Sequence, residues 1–249
     1  MFRNTFWEFC GGLAYNCKIM PNPKKVAVFD IDGTIFRSSL FIELMEELID
    51  AEVFDESVRD MYLKEKEAWL DRRGDYEAYV GAMLTQFMKN LKGVEYRELE
   101  WAGKRVVDRV GFRIYEHTTA LVRSLRERGY YLLAISHSPK MVVDQFAKRL
   151  GFNKVYGTMY EVGPNDCFTG IMLDQHLIAN KANIVRRAVE KEGLTLKGSV
   201  GVGDTEADIS FLELVDKPVA FNPNKKLYRY AKRMGWTVVV ERKDVVYKL

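Results

Sequence analysis

Two aspartates separated by one apolar residue, Asp30-Ile31-Asp32, follow directly on the apolar run Val26-Ala27-Val28-Phe29 and precede Gly33-Thr34. A short Val-rich run reads as a buried strand. Gly33 then allows a sharp turn at no steric cost. Carboxylates at the carboxyl end of a buried parallel strand stand where open α/β sheets bind their ligands. Unpaired in that position they would be costly, so a metal ion or a cationic partner is expected beside them. The competing explanation is an Asp-rich turn that only connects, since Asp and Gly are ordinary turn residues. An EF-hand loop is excluded, because its Gly follows three spaced acidic or amide positions and Gly33 follows two.

Three further positions repeat the pattern. Ser136 follows the apolar run Tyr130-Tyr131-Leu132-Leu133-Ala134-Ile135, and Ser138-Pro139 reads as an N-cap with Pro at the first helical turn. Free amides at that helix start, with the Ser136 hydroxyl, would make an anion site; simple capping by both serines explains them as well. Lys181 stands at the start of a helix behind Asn180, where a cation opposes the helix dipole at a cost of about 0.3–1 kcal/mol. It is either compensated by an anion or a solvated surface lysine. Asp204, in Gly203-Asp204-Thr205-Glu206-Ala207-Asp208, follows the strand Ser199-Val200-Gly201-Val202. Thr205 and Asp208 have capping-box spacing, an explanation that does not extend to Asp204. Carboxylates, a hydroxyl and a lysine converging on one sheet edge form a phosphate-and-magnesium constellation, because Mg²⁺ takes a carboxylate or two plus waters and substrate phosphate.

The elements that must position these groups alternate between strand and helix, which argues for a doubly wound parallel sheet with helices on both faces. Between residues 36 and 113 the alternation stops. Phe41, Leu44, Met45, Leu48 and Ile49, then Tyr79, Val80, Met83, Leu84, Phe87 and Met88, then Val106, Val107 and Val110 recur at helical spacing. Four helices without an intervening strand predict an inserted helical bundle, hinged beside the Asp pair and able to cover it. Trp69, Arg72, Arg73, Tyr76 and Arg37 could touch substrate from there; a solvated helical face explains them equally. The expected organisation is therefore an N-terminal extension over 1–23, an α/β core over 24–35 and 114–249, and the helical cap over 36–113. Short strands at Val155-Tyr156, Met159 to Val162 and Phe168 to Met172 are expected after the second motif, with a turn at Gly163-Pro164-Asn165-Asp166.

At 249 residues, with 47% hydrophobic and 29% charged residues, the chain reads as an ordinary folded protein. A net charge of +3 with dispersed Lys and Arg offers no footprint for nucleic acid. Cys10, Cys17 and Cys167 form neither a CxxC nor a close pair, so a reducing cytoplasm is the natural setting. No apolar stretch is long enough to span a bilayer. Residues 1–20, rich in Phe and Trp, make a poor signal peptide and read better as a helix packed on the domain surface than as an in-plane membrane helix.

Asp30-Ile31-Asp32-Gly33-Thr34, Ser136, Lys181 and Gly203-Asp204 through Asp208, in that order, resemble the four motifs of the haloacid dehalogenase-like (HAD) hydrolases. The helical insertion after the first motif resembles the phosphoserine-phosphatase-like branch. The likeness runs from about Lys24 to the C-terminus and implies a Rossmann-like core. It implies that Asp30 attacks phosphorus to form an aspartyl-phosphate. Asp32 would protonate the leaving oxygen and later deprotonate water. Mg²⁺ would be held by the Asp30 carboxylate, the Asp32 carbonyl and Asp204. Ser136 and Lys181 would hold the phosphoryl oxygens, Asp208 would orient Lys181 or the metal's waters, and amides near Gly33 and Thr34 would add to the phosphate cradle. The implied activity is a Mg²⁺-dependent phosphomonoesterase on a small phosphorylated metabolite. Phosphotransfer by the same chemistry and, from another class, a receiver-like phosphoacceptor are the alternatives; the receiver is disfavoured because its acceptor lies on a later strand than its acidic pair. Two positions depart from the branch. Ser39 stands nine residues after Asp30 in place of a glutamate that grips a substrate amine, and His137-Ser138 replaces small glycines. Both weaken the case for phosphoserine as substrate.

Overall fold

The computed structural model describes residues 23–173 and 180–249. The expected surface helix over residues 1–20, with Cys10 and Cys17, lies outside the described residues. The strands are β1 (Lys25–Asp30), β2 (Tyr131–Pro139), β3 (Lys154–Val162), β4 (Phe168–Leu173), β5 (Thr195–Gly203), β6 (Lys217–Phe221), β7 (Thr237–Arg242) and β8 (Val245–Lys248). They form one sheet in the order β4-β3-β2-β1-β5-β6-β7-β8. All neighbours pair parallel except the two edge strands, β4 and β8, which pair antiparallel.

Strand β1 lies between β2 and β5. The chain winds outward from β1 through β2 to β3, then returns to the other side of β1 with β5. That reversal opens a crevice at the carboxyl ends of β1 and β5, the place where doubly wound sheets bind ligands. Side-chain alternation along β1 sends Ala27 and Phe29 to one apolar cluster and Val26 and Val28 to the other. Burial on both faces is why the run is continuously apolar rather than alternating.

One face carries the helices α7 (Lys181–Lys191), α8 (Ile209–Leu212) and α9 (Lys225–Met234), which contribute Ile184, Val185, Phe211, Leu212 and Leu227. The other face carries α5 (Glu116–Glu127) and α6 (Lys140–Leu150), through Val122, Leu125, Val142, Val143 and Phe146. The four helices of the insertion are α1 (Leu40–Asp50), α2 (Asp60–Leu70), α3 (Tyr76–Leu91) and α4 (Tyr96–Val110). Within it α1 packs on α4 and α2 on α3, but α4 also packs on α6 and α3 on β4. Leu44, Met45, Phe87 and Val106 accordingly belong to the same apolar cluster as Phe29 and Phe146. The insertion shares its core with one face of the sheet instead of enclosing a separate one.

Several elements differ from the sequence reading. Strand β2 runs through Ser136 and Ser138 to Pro139, and α6 starts at Lys140. A residue before proline is pushed out of the helical region, and Pro139 itself is extended at φ −53 and ψ 129, paired with Thr158. Ser138 therefore does not cap α6. The two short strands expected at Val155 and Met159 are one strand, β3, and the turn to β4 holds a short 3-10 segment at Pro164–Asp166. Strand β8 closes an unexpected hairpin, with Lys243 at φ 56 in its turn.

Candidate active site

Asp30 is the last residue of β1 and Asp204 the first after β5, so strand pairing alone brings them side by side. Lys181, the first residue of α7, is buried beneath them. Its Nζ donates to Asp30 Oδ1 at 2.5 Å and to Asp208 Oδ1 at 2.6 Å. Asn180 caps α7 by accepting from the Ala182 amide at 3.0 Å. The competing picture of a solvated surface lysine is thus ruled out, and the compensating anions are carboxylates of the protein itself.

Asp208 serves two masters. Its Oδ2 accepts from the backbone amides of Asp204 at 2.9 Å and Thr205 at 3.0 Å, completing the capping box, while Oδ1 holds Lys181. One carboxylate oxygen from each of Asp30, Asp204 and Asp208 lies within 4.8 Å of the others. Thr34 Oγ1 donates to Asp204 Oδ1 at 3.3 Å. Gly33 sits in the left-handed region at φ +76, and a Cβ there would stand 2.1 Å from Asp204 Oδ2. The turn after β1 is closed by Ile31, whose carbonyl accepts from Thr34, Ile35 and Phe36.

Asp32 is held differently. Its Oδ1 accepts from the Leu40 amide at 2.6 Å, and its Oδ2 from Ser136 Oγ at 2.6 Å and Ser138 Oγ at 2.8 Å. Ser136 thus meets Asp32, not Asp30, in this structure. The Asp32 side chain stands outside the group formed by Asp30, Asp204 and Asp208.

Charge dominates the site. Burial pushes the Asp30 carboxyl up, with the Asp208 and Asp32 charges adding and Lys181 opposing. Burial, then the charges of Asp30 and Asp208, push Asp204 well above its usual range. Burial also raises Asp32, against the bonds from Ser136, Leu40 and Ser138. For Lys181, burial disfavours the charge but Asp208 and Asp30 outweigh it, and its ammonium is held firmly protonated. Three carboxylates, Asp30, Asp204 and Asp208, share one ammonium, with Asp32 close by; that excess of acidic groups is the electrostatic demand a divalent cation meets. The oxygen donor set and the space kept open by Gly33 fit Mg²⁺ or a similar hard ion.

From the insertion, Tyr76 opens α3, and its phenol hydrogen-bonds Ser39; burial and the nearby charge on Asp32 hold its hydroxyl protonated. Trp69 stacks on Tyr79 with ring centroids 5.7 Å apart, Arg73 pairs with Asp71, and Arg37 lies over the Tyr115 ring at 5.4 Å. Of the insertion residues singled out from sequence, Tyr76 is the one whose hydroxyl is kept protonated in part by the charges of Asp32 and Asp204. Ser138 was legible only as a helix cap; its spacing of two from Ser136, which on a strand puts both hydroxyls on one face, is the signal that could have found it. A cavity of about 850 Å³ lined by Leu121, Leu125, Trp236 and neighbours lies where β6 and β7 begin, away from these groups.

Residues 27–213 match the family model described as haloacid dehalogenase-like hydrolase. Among similar proteins, a phosphoserine phosphatase of Mycobacterium tuberculosis is 27% identical over 218 residues, covering 85% of this chain and 69% of that one. A histidinol-phosphatase of Neisseria meningitidis is 24% identical over 225 residues, covering 87% of this chain and 98% of that one. A solved phosphoserine phosphatase, described as a phospho-aspartyl intermediate analogue, superposes with a TM-score of 0.60 at 22% identity over 90% of this chain and 96% of that one. Among the described residues no helix is long and apolar enough to cross a membrane. The chain belongs to the haloacid dehalogenase-like hydrolases, with its relatives on the phosphoserine-phosphatase-like branch.

Proposed function

We propose that this protein is a Mg²⁺-dependent phosphomonoesterase that acts on a small phosphorylated metabolite through an aspartyl-phosphate. The observation that carries this reading is the Asp30–Lys181–Asp208 chain of short hydrogen bonds beside Asp204, at the carboxyl ends of β1 and β5. A carboxylate nucleophile, a fixed cation and further carboxylates for a metal are the parts that phosphoryl transfer needs.

In the proposed reaction an Asp30 oxygen attacks phosphorus as the bond to the ester oxygen breaks. Asp32 gives its proton to the departing alkoxide; burial moves its carboxyl in the direction a general acid requires. Water then attacks the aspartyl-phosphate, Asp32 takes the water's proton, and inorganic phosphate leaves with Asp30 restored. Lys181 stabilises the Asp30 carboxylate and the phosphoryl oxygens, and Asp208 holds Lys181 in place. Ser136 can turn its hydroxyl from Asp32 to a phosphoryl oxygen. Asp30, the Asp32 carbonyl and Asp204 would hold Mg²⁺, with Asp208 beside them, and the ion supplies charge neutralisation between carboxylate and phosphate.

Residues 36–113 act in this reading as the cap, with Tyr76 and Ser39 selecting the substrate, while 24–35 and 114–249 form the core. Ser39 in place of a glutamate favours a phosphate ester other than phosphoserine, and the relatives, which include phosphoserine and histidinol phosphatases, set the classes to test. The test is release of inorganic phosphate from sugar, amino-acid, amino-alcohol and nucleotide phosphates, with Mg²⁺ and with chelator. Mg²⁺-dependent release from one class supports the reading; no release from any, or release untouched by chelator, refutes it.

A further inference from the structure

We infer that Ser138 is a positioning residue for the acid–base step, holding the Asp32 carboxyl against the start of α1 through its side-chain hydroxyl. The inference rests on the reading of Asp32 as the general acid.

Helix α1 has no cap of its own: Ser39 stands at the N-cap position, and its side chain makes no capping hydrogen bond. The first amides of the helix are instead satisfied across the fold. Leu40 N donates to Asp32 Oδ1 at 2.6 Å, and Phe41 N donates to Ser138 Oγ at 3.0 Å. A helix start left without partners is unfavourable, so these bonds tie the insertion to the acid at its first turn.

The proton directions in this network follow from the donors. A backbone amide can only donate, so Ser138 Oγ accepts from Phe41 N, and toward the ionised Asp32 carboxylate it gives its own proton to Oδ2, 2.8 Å away; its second lone pair can accept from Asp32 when that carboxyl is protonated. Ser136 Oγ likewise accepts from Ser138 N at 2.9 Å and gives its proton to the same Oδ2 at 2.6 Å. The two hydroxyls nevertheless have different prospects. Ser136 is the one proposed to turn toward the phosphoryl group, and when it does, Ser138 remains as the hydroxyl on Oδ2. Ser138 is 2% exposed and lies on a strand whose path is fixed by Pro139, not on a loop. A rigid, buried support of this kind is what keeps a catalytic carboxyl in its productive rotamer.

General-acid assistance matters for a poor leaving group and hardly for a good one, so leaving-group dependence isolates the role. The probes are 2,4-dinitrophenyl phosphate and whichever alkyl ester among phosphoserine, histidinol phosphate and glycerol phosphate the wild type turns over fastest. The quantity is the alkyl-to-dinitrophenyl ratio of kcat/KM, measured on the full chain with Mg²⁺. Asp32→Asn should collapse that ratio, and Ser138→Ala should lower it by roughly tenfold, part of the gain a general acid supplies. Ser138→Cys, close in volume but a weak hydrogen-bond donor, should lower it too and serves if the alanine variant does not fold. Ser138→Thr, which keeps the hydroxyl, should restore most of it. Equal losses on both esters in the alanine and cysteine variants, or an unchanged ratio, would reduce Ser138 to a structural residue and overturn the inference. A ratio unmoved by Asp32→Asn, or a wild type inert toward every ester, would remove the underlying reading and the inference with it.

Discussion

Gly33 and Asp204 are fitted to each other across the paired ends of β1 and β5: a Cβ on residue 33 would stand 2.1 Å from Asp204 Oδ2. The backbone of Gly33, at φ +76, is also one that side chains avoid. Gly33→Ala should therefore cost about 1–2 kcal/mol for the left-handed backbone and displace the Asp204 carboxylate as well. The expected result is a lower Tm together with lost Mg²⁺ binding in titration calorimetry. Wild-type Mg²⁺ affinity in this variant would contradict the placement of Asp204 in the metal site.

Asp30→Asn removes the proposed nucleophile and one of four crowded acids. Phosphate release should disappear, whereas the variant should stay folded in chelator, because Lys181 loses its Asp30 partner but keeps Asp208, and burial and like charge already oppose ionisation of Asp30. Residual turnover near the wild-type rate would refute the assigned nucleophile.

Lys181→Met leaves Asp30 and Asp208 buried without their shared cation. Breaking a buried ion pair by removing one partner typically costs about 3–5 kcal/mol, so urea unfolding at neutral pH should show a loss of that order, with activity abolished. A variant as stable as the wild type would mean that the contact in the structure contributes little.

The charge surplus also predicts a pH dependence for the metal-free protein. With Asp204 raised well above its ordinary value of 3.8, the folded state keeps a proton that the unfolded chain has lost. Its contribution to stability is complete below that ordinary value and is lost as pH rises through the raised one. On the proposed reading Mg²⁺ would bind the ionised cluster and should reverse the trend, since a ligand of the folded state stabilises by mass action. Thermal unfolding should show a larger Mg²⁺-induced rise in Tm at about pH 8 than at about pH 5.5. Equal shifts at both values would count against an acidic metal site.

The acids were legible because each follows a buried strand, a relation carried by local pattern: Asp30 after Val26 to Phe29 and Asp204 after Val200 to Gly203. Asn180 before Lys181 and Thr205 before Asp208 were equally local, since caps act over three or four residues. Strand β8 escaped because it lies at the sheet edge, exposed throughout, and lacks the buried face that periodicity detects; β3 is an interior strand and escaped as one element because Gly157 and Thr158 interrupt its apolar pattern.

What residue order alone conveyed was the set of chemical groups and the elements that carry them, since strand burial, turns and caps are written in neighbouring residues. Which group meets which was settled by packing between distant segments. Ser136 touches Asp32, Ser138 satisfies α1 and not α6, and Asp208 both caps its own turn and holds Lys181. Hydrogen-bond partners are chosen by position in space, and a serine or aspartate offers the same donors and acceptors to any neighbour; the sheet order that makes β1 and β5 adjacent is what selects among them.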